Sequence, residues 1–149
     1  MKTNRAITAI IGLGYVGFPL LPDFCEAGLK VIGFDTDDQK VEMLQHGGSY
    51  ISYIPDETVL NYLNAGLFEA SGDFSRLGGV DNIIITLPKS LSGHREPELK
   101  YVRNTATVIS QYLKKGQLVV LESTSLSKSN KHKRLYNFNP RCCLQEGYR

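Results

Sequence analysis

The chain has 149 residues, 42% hydrophobic and 21% charged, with a formal net charge of +2. That length suits one domain with a sizeable core, and the composition is that of an ordinary soluble globular protein, which excludes collagenous, low-complexity and disulfide-stapled classes. The charge is uneven: residues 1–125 carry 11 Lys and Arg against 14 Asp and Glu, and residues 126–149 carry 6 against 1.

Lys2 and Arg5 precede an apolar run, as in a secretory signal. Gly12, Gly14, Gly17, Pro19 and Pro22 interrupt that run, which stops at Asp23, short of the roughly 20 apolar residues a membrane span needs. No membrane association is expected. Ala6–Ile11 reads as a buried strand. From Tyr15 to Ala27, apolar residues recur at helical spacing and Gly28 ends the run. Pro22 lies deep enough in this helix to predict a kink or strain near residues 18–22. "KVIGF" at 30–34 is a second strand, followed by Asp35. Thr36 or Asp37 caps a helix bearing Val41 and Leu44, which Gly47-Gly48 stops.

Pro55 stands at the first position of a third helix, with Asp56 and Glu57 near its positive end and Gly66 beyond it. "LFEAS" is a weak strand and "NIIITL" a strong buried one. The clearest helix runs through "REPELKYVRNTATVISQYLKKG", where Leu99, Val102, Ala106, Ile109 and Leu113 step by three and four before Gly116. "LVVLE" at 118–122 is a further buried strand. Apolar strands alternating with helices predict an α/β fold, a parallel sheet covered by helices on both faces. After Ser125 the periodicity fails, and little helix or strand is expected.

Gly12, Gly14 and Gly17 form G-x-G-x-x-G between a predicted strand and a predicted helix, and Asp35 ends the second strand 18 positions later. That context is the dinucleotide-binding fingerprint. Gly12 permits the tight turn, Gly14 lets a pyrophosphate approach the backbone, and Gly17 lets the helix pack on the sheet. Backbone N–H groups at the helix start receive the phosphates. Asp35 accepts from both hydroxyls of the adenosine ribose and repels a 2′-phosphate, so NAD is expected in preference to NADP.

The segments "IGLGYVGFPL", "VIGFDTD", "SYISYIPDE", "DFSRL", "HREPELKYV" and "KKGQLVVLESTS" occur in this order. Together they resemble the N-terminal domain of the nucleotide-sugar 6-dehydrogenases over residues 5–125, closest to the UDP-N-acetylglucosamine and UDP-N-acetylmannosamine branch, with UDP-glucose 6-dehydrogenase related. The resemblance implies a Rossmann-like NAD domain over 1–125, incomplete at its C-terminus, with an atypical basic tail over 126–149. It implies an oxidoreductase of nucleotide-sugar metabolism and polysaccharide biosynthesis, which oxidises a UDP-sugar C6 alcohol to a carboxylate with NAD; the three cysteines, odd in number and without a disulfide framework, point to a reducing, cytoplasmic setting.

By the same resemblance, Gly12, Gly14, Tyr15, Val16 and Gly17 cradle the pyrophosphate. Asp35 and Lys40 hold the ribose, and Pro88, Ser123 and Thr124 lie near the cofactor. The residues alone leave Lys40 open between that role and a solvated helix lysine, and Ser123 and Thr124 between theirs and a strand end. The family reads V-P-T-P after the fourth strand, whereas this chain reads Leu87-Pro88-Lys89-Ser90. The family's central and UDP-sugar segments are not matched, and a shifted reading frame would produce such a break.

Cys25 falls in the first helix and is expected in the core. Cys142 and Cys143 sit in no matching motif, and the histidines have no metal-ligand spacing, so no catalytic residue and no metal is assigned. The expected function is the NAD-binding portion of a UDP-sugar dehydrogenase, inactive as this fragment. The alternatives are a dinucleotide-binding sensor or regulatory module, and an interaction protein whose basic tail binds nucleic acid. No nucleic-acid partner is expected; a homo-oligomer is, because an apolar edge after "LVVLE" is left uncovered.

Overall fold

The structure, a computed structural model, describes residues 6–86, 96–122 and 135–136. Pro88, Lys89, Ser90, Ser123, Thr124, Cys142 and Cys143 lie outside the described residues. The elements in chain order are strand β1 (Ile7–Ile11), helix α1 (Leu20–Glu26), β2 (Lys30–Phe34), α2 (Asp38–Gln45), α3 (Asp56–Asn64) and β3 (Phe68–Ser71). A 3₁₀ turn (Phe74–Gly79) follows, then β4 (Asn82–Thr86), α4 (Glu96–Ser110), β5 (Leu118–Glu122) and β6 (Leu135–Tyr136).

The sheet order is β3-β2-β1-β4-β5-β6. The first five strands are parallel, and β6 pairs antiparallel with β5, setting Val119 opposite Tyr136 and Val120 opposite Leu135. The alternation of strand side chains divides the core into two layers. Ile10 and Val31 pack with Leu21, Cys25, Val41, Leu44 and Val59 from α1, α2 and α3. Ala9, Ile11, Ile83 and Ile85 pack on the other face with Leu77, Val80 and Ile109, from the 3₁₀ turn, the segment after it and α4. Each fully buried large apolar side chain contributes on the order of 1.5–3 kcal/mol.

Three expectations change in detail. The first helix begins at Leu20 rather than Tyr15. Residues 14–19 form tight turns, with Leu20 N–H donating to Gly17 O (3.2 Å) and Leu21 N–H to Phe18 O (3.0 Å). Pro19 is therefore the residue before the helix and Pro22 lies in its first turn, where a missing N–H removes no helical bond. The disturbance expected near residues 18–22 takes the form of a late helix start. Second, α4 ends at Ser110, and its inward face runs through Tyr101, Thr105 and Ile109 while Ala106 is exposed. Of the expected stripe, Ile109 is buried and Leu113 packs on the core, Ala106 is exposed, and the side chains of Leu99 and Val102 lie outside the described ones. Third, the edge of β5 expected to be uncovered is paired at Val119 and Val120 by the two-residue β6, from the segment expected to hold little strand.

Local capping follows the sequence more closely. Asp37 caps α2, its side chain accepting from Gln39 N–H (3.0 Å) and Lys40 N–H (3.3 Å). Pro55 precedes α3 as its N-cap, one position before the expected one.

Candidate functional site

β1 and β4 are neighbours, and the strand order reverses between them. In open parallel sheets the ligand crevice lies beyond the carboxyl ends of the strands at such a reversal. Gly12 leaves β1 with φ +89°, a conformation that L side chains rarely adopt. A Cβ on Gly12 would stand 2.7 Å from Thr86 O. Gly17 folds back so closely that a Cβ there would stand 1.8 Å from Gly12 O and 2.7 Å from Thr86 Oγ1. Gly14 is the opposite case: a Cβ there would meet nothing within 4 Å. The three glycines therefore have different tasks, two enforced by backbone contact and one by open space in front of the chain.

Thr86 anchors this bend. Its buried hydroxyl lies 3.0 Å from Ile11 O and 2.6 Å from Gly12 O. The sequence reading passed over it. Its signal was a polar residue closing an otherwise apolar strand, "NIIIT".

Gly12 N–H donates to Phe34 O (2.8 Å), and Phe18 N–H donates to Gly14 O (3.0 Å). Between them, Leu13 N–H is taken by Asp35 Oδ2 (2.8 Å). The N–H groups of Gly14, Tyr15, Val16 and Gly17 have no acceptor among the described residues. Four successive donors without a partner among the described residues, one of them on the buried Gly17, suit an anion.

Asp35 is half-buried, and its Oδ1 accepts from Asp37 N–H (2.9 Å). Each carboxylate oxygen thus takes one backbone N–H and keeps capacity for another donor. Asp35 lines a cavity of about 350 Å³ with Gly12, Phe34, Thr36, Phe74, Tyr101 and Thr105. Burial, with the Asp35 charge second, raises the Tyr101 hydroxyl above the usual phenol range, so it stays protonated. Phe74 and Tyr101 were not foreseen as lining residues. Their apolar bodies and the Asp35 carboxylate leave a pocket apolar on its walls and polar at one edge.

Lys40 lines a second cavity, of about 310 Å³, with Gly14, Tyr15, Asp37, Met43 and Tyr50. Its ammonium lies 5.9 Å from the centroid of the Tyr50 ring. The two cavities share no lining residue, and the glycine bend contributes Gly12 to one and Gly14 to the other. The structure thus brings Gly12, Gly14, Tyr15, Val16, Gly17 and Asp35 around one bend and places Lys40 in the adjoining hollow.

Cys25 is 2% exposed, and burial, then the Glu26 charge, pushes its thiol up to about 12. It sits in the core layer and offers no thiolate. Among the described residues, no three His, Cys, Asp or Glu side chains cluster as a metal site, and no helix is long and apolar enough to cross a membrane.

Comparison with known proteins places this geometry. The family model described as "UDP-glucose/GDP-mannose dehydrogenase family, NAD binding domain" matches residues 6–139. The UDP-N-acetyl-D-mannosamine dehydrogenase of Yersinia pestis is 35% identical over 118 residues, which cover 78% of this chain and 27% of that protein. The enzyme of that name from Escherichia coli K12 is 35% identical over 122 residues, covering 80% of this chain and 28% of its own length. Among solved structures, an NDP-N-acetyl-D-galactosaminuronic acid dehydrogenase from Methanosarcina mazei Go1 superposes with a TM-score of 0.70 at 32% identity, covering 81% of this chain and 28% of that one. The chain spans under a third of the length of these relatives.

Proposed function

Because the chain belongs to the UDP-glucose/GDP-mannose dehydrogenase family, through that family's NAD-binding domain, we propose that it holds NAD across the glycine bend with Asp35 as the ribose acceptor. The observation that carries this reading is the run of four N–H groups from Gly14 to Gly17 with no acceptor among the described residues, beside a carboxylate-edged cavity. The donor set fits the group. The amides suit a pyrophosphate, and the open face of Gly14 lets the phosphates approach. The hollow lined by Phe74 and Tyr101 suits the adenosine, with its ribose hydroxyls donating to Asp35. Lys40, in the adjoining hollow with Gly14 and Tyr15, supplies positive charge on the phosphate side.

Asp35 sets the choice of coenzyme. A carboxylate that already serves two backbone N–H groups is fixed in place, so a 2′-phosphate there meets an acceptor that cannot turn away. Thr86 and Glu122 are register partners, so the chain leaves β4 and β5 from adjacent positions. By resemblance to the family, Ser123 and Thr124 are assigned to the nicotinamide and Pro88 to the cofactor.

When bound, NAD supplies a hydride acceptor. This chain's residues bind and orient it. In a protein of the relatives' full length, the domain serves oxidation of a nucleotide-sugar C6 alcohol to the carboxylate. The 149 residues alone bind NAD and leave UDP-sugars unoxidised, because the family's central and UDP-sugar segments are not matched in them.

Calorimetric titration of the purified chain tests this. NAD is expected to bind with a dissociation constant below about 1 mM, and NADP at least about tenfold more weakly, the equivalent of about 1.4 kcal/mol. Absence of heat with NAD, or equal affinity for the two coenzymes, contradicts the reading.

A further inference from the structure

We propose that Tyr50 is a positioning residue for the coenzyme: it locks the Leu13–Gly14 peptide plane so that the Gly14 N–H is held ready for the phosphate. The inference rests on the NAD-binding reading and adds to it a residue remote in sequence from the glycine motif.

Tyr50 lies in the connection between α2 and α3, and its hydroxyl donates to the Leu13 carbonyl across 37 residues of sequence. That carbonyl belongs to the same planar, trans peptide unit as the Gly14 N–H, so fixing one direction fixes the other. The preceding peptide is fixed as well, since Leu13 N–H donates to Asp35 Oδ2 at 2.8 Å. Leu13 is thereby gripped on both sides, by the proposed ribose acceptor and by Tyr50, while its side chain is 1% exposed. The first free donor of the cradle begins immediately after this grip.

The Tyr50 ring is itself held. Its centroid lies 4.9 Å from that of Phe18, a buried residue of the turns that follow Gly17. Lys40 Nζ sits 5.9 Å over the same ring. Tyr50 therefore touches both ends of the bend, Leu13 through its hydroxyl and Phe18 through its face. The ring also lines the hollow that Gly14 and Tyr15 share with Lys40. Burial, then the charges of Asp35 and Asp37, raises the phenol well above its ordinary range, which keeps it a donor at every working pH.

A positioning role differs from plain packing in what the loss of one oxygen does. Tyr50→Phe keeps the ring, its contact with Phe18 and its place beneath Lys40, and removes only the grip on the Leu13 carbonyl. The expected result is a five- to twentyfold weaker NAD dissociation constant by calorimetry, with a melting temperature within about 2 °C of the wild type. In ¹⁵N-labelled protein without coenzyme, the Gly14 amide resonance is expected to shift and broaden, and its hydrogen exchange to quicken. Core amides such as those of Val31 and Ile84 are expected to stay unchanged. If wild type and Tyr50→Phe bind NAD equally tightly, or if the Gly14 amide is unaffected, Tyr50 has no positioning role, although NAD binding stands. If the wild type itself binds no NAD, the NAD-binding reading falls and this role falls with it. Tyr50→Leu serves as the contrast: losing the ring as well should lower the melting temperature, a change that packing alone explains.

Discussion

Gly17→Ala is expected to abolish NAD binding and to lower unfolding free energy by about 3 kcal/mol or more, while Gly14→Ala is expected to lose most NAD affinity at nearly unchanged stability. The difference follows from what each new methyl meets. At Gly17 the methyl would lie 1.8 Å from the Gly12 carbonyl oxygen and 2.7 Å from Thr86 Oγ1, so backbone must move. Overpacking at well-packed sites costs about 1–3 kcal/mol, and more where no flexible side chain can yield. The displaced atoms are those that shape the bend: Gly12 O is held by Thr86, and Thr86 also holds Ile11 O. At Gly14 the methyl meets no protein atom within 4 Å and only occupies the space proposed for the phosphates. Denaturant titration and NAD calorimetry of the two variants measure both effects. If Gly14→Ala binds NAD as the wild type does, the phosphates do not pass over this residue. If Gly17→Ala folds and binds normally, the close contact is not what shapes the site.

Asp35→Asn is expected to weaken NAD binding ten- to hundredfold and to erase most of the preference over NADP. The aspartate accepts from Leu13 N–H on one oxygen and Asp37 N–H on the other. An amide keeps one acceptor and turns a donor toward the other N–H, so one of the two backbone groups loses its partner. Leaving such a group unpaired costs about 1–3 kcal/mol. The neutral side chain also accepts more weakly from the ribose hydroxyls, since hydrogen bonds to a charged group contribute about 1.5–3 kcal/mol. It no longer repels a 2′-phosphate. Parallel titrations with NAD and NADP check this: an unchanged ratio of the two affinities would show that the carboxylate does not face the ribose.

Much of this arrangement was legible in the residues. The strands are apolar runs, so β1, β2, β4 and β5 lie within a residue or so of their expected bounds, and glycines with positive φ at 28 and 47 stop the helices where expected. Gly12 makes the tight turn expected of it, with φ +89°, whereas Gly17, expected to bring the helix onto the sheet, lies three residues before the helix and closes instead on Gly12 O and Thr86 Oγ1. What the residues hid is whatever depends on distant partners. Nothing near Tyr50 announces that its hydroxyl reaches Leu13, and nothing near Thr86 announces that it clamps the end of β1. The α4 stripe holds at Ile109 and Leu113 and departs at Ala106 for a related reason. Periodicity ranks Ala106 as apolar, but the face turned inward carries Tyr101 and Thr105, because that part of the helix borders a cavity with a carboxylate rather than the aliphatic core. Pro22 was weighed as an interior helix residue; the turns of residues 14–19, set by the close approach of Gly17, place it instead in a first turn.

The central claim is that four consecutive amides after Leu13 receive the coenzyme's phosphates. Its most direct test is a ¹⁵N-resolved NMR titration of the chain with NAD. The Gly14, Tyr15, Val16 and Gly17 amide protons are expected to move downfield together, saturating at the calorimetric dissociation constant, and to exchange more slowly when NAD is bound. Saturable NAD binding with these four resonances unmoved would contradict the account.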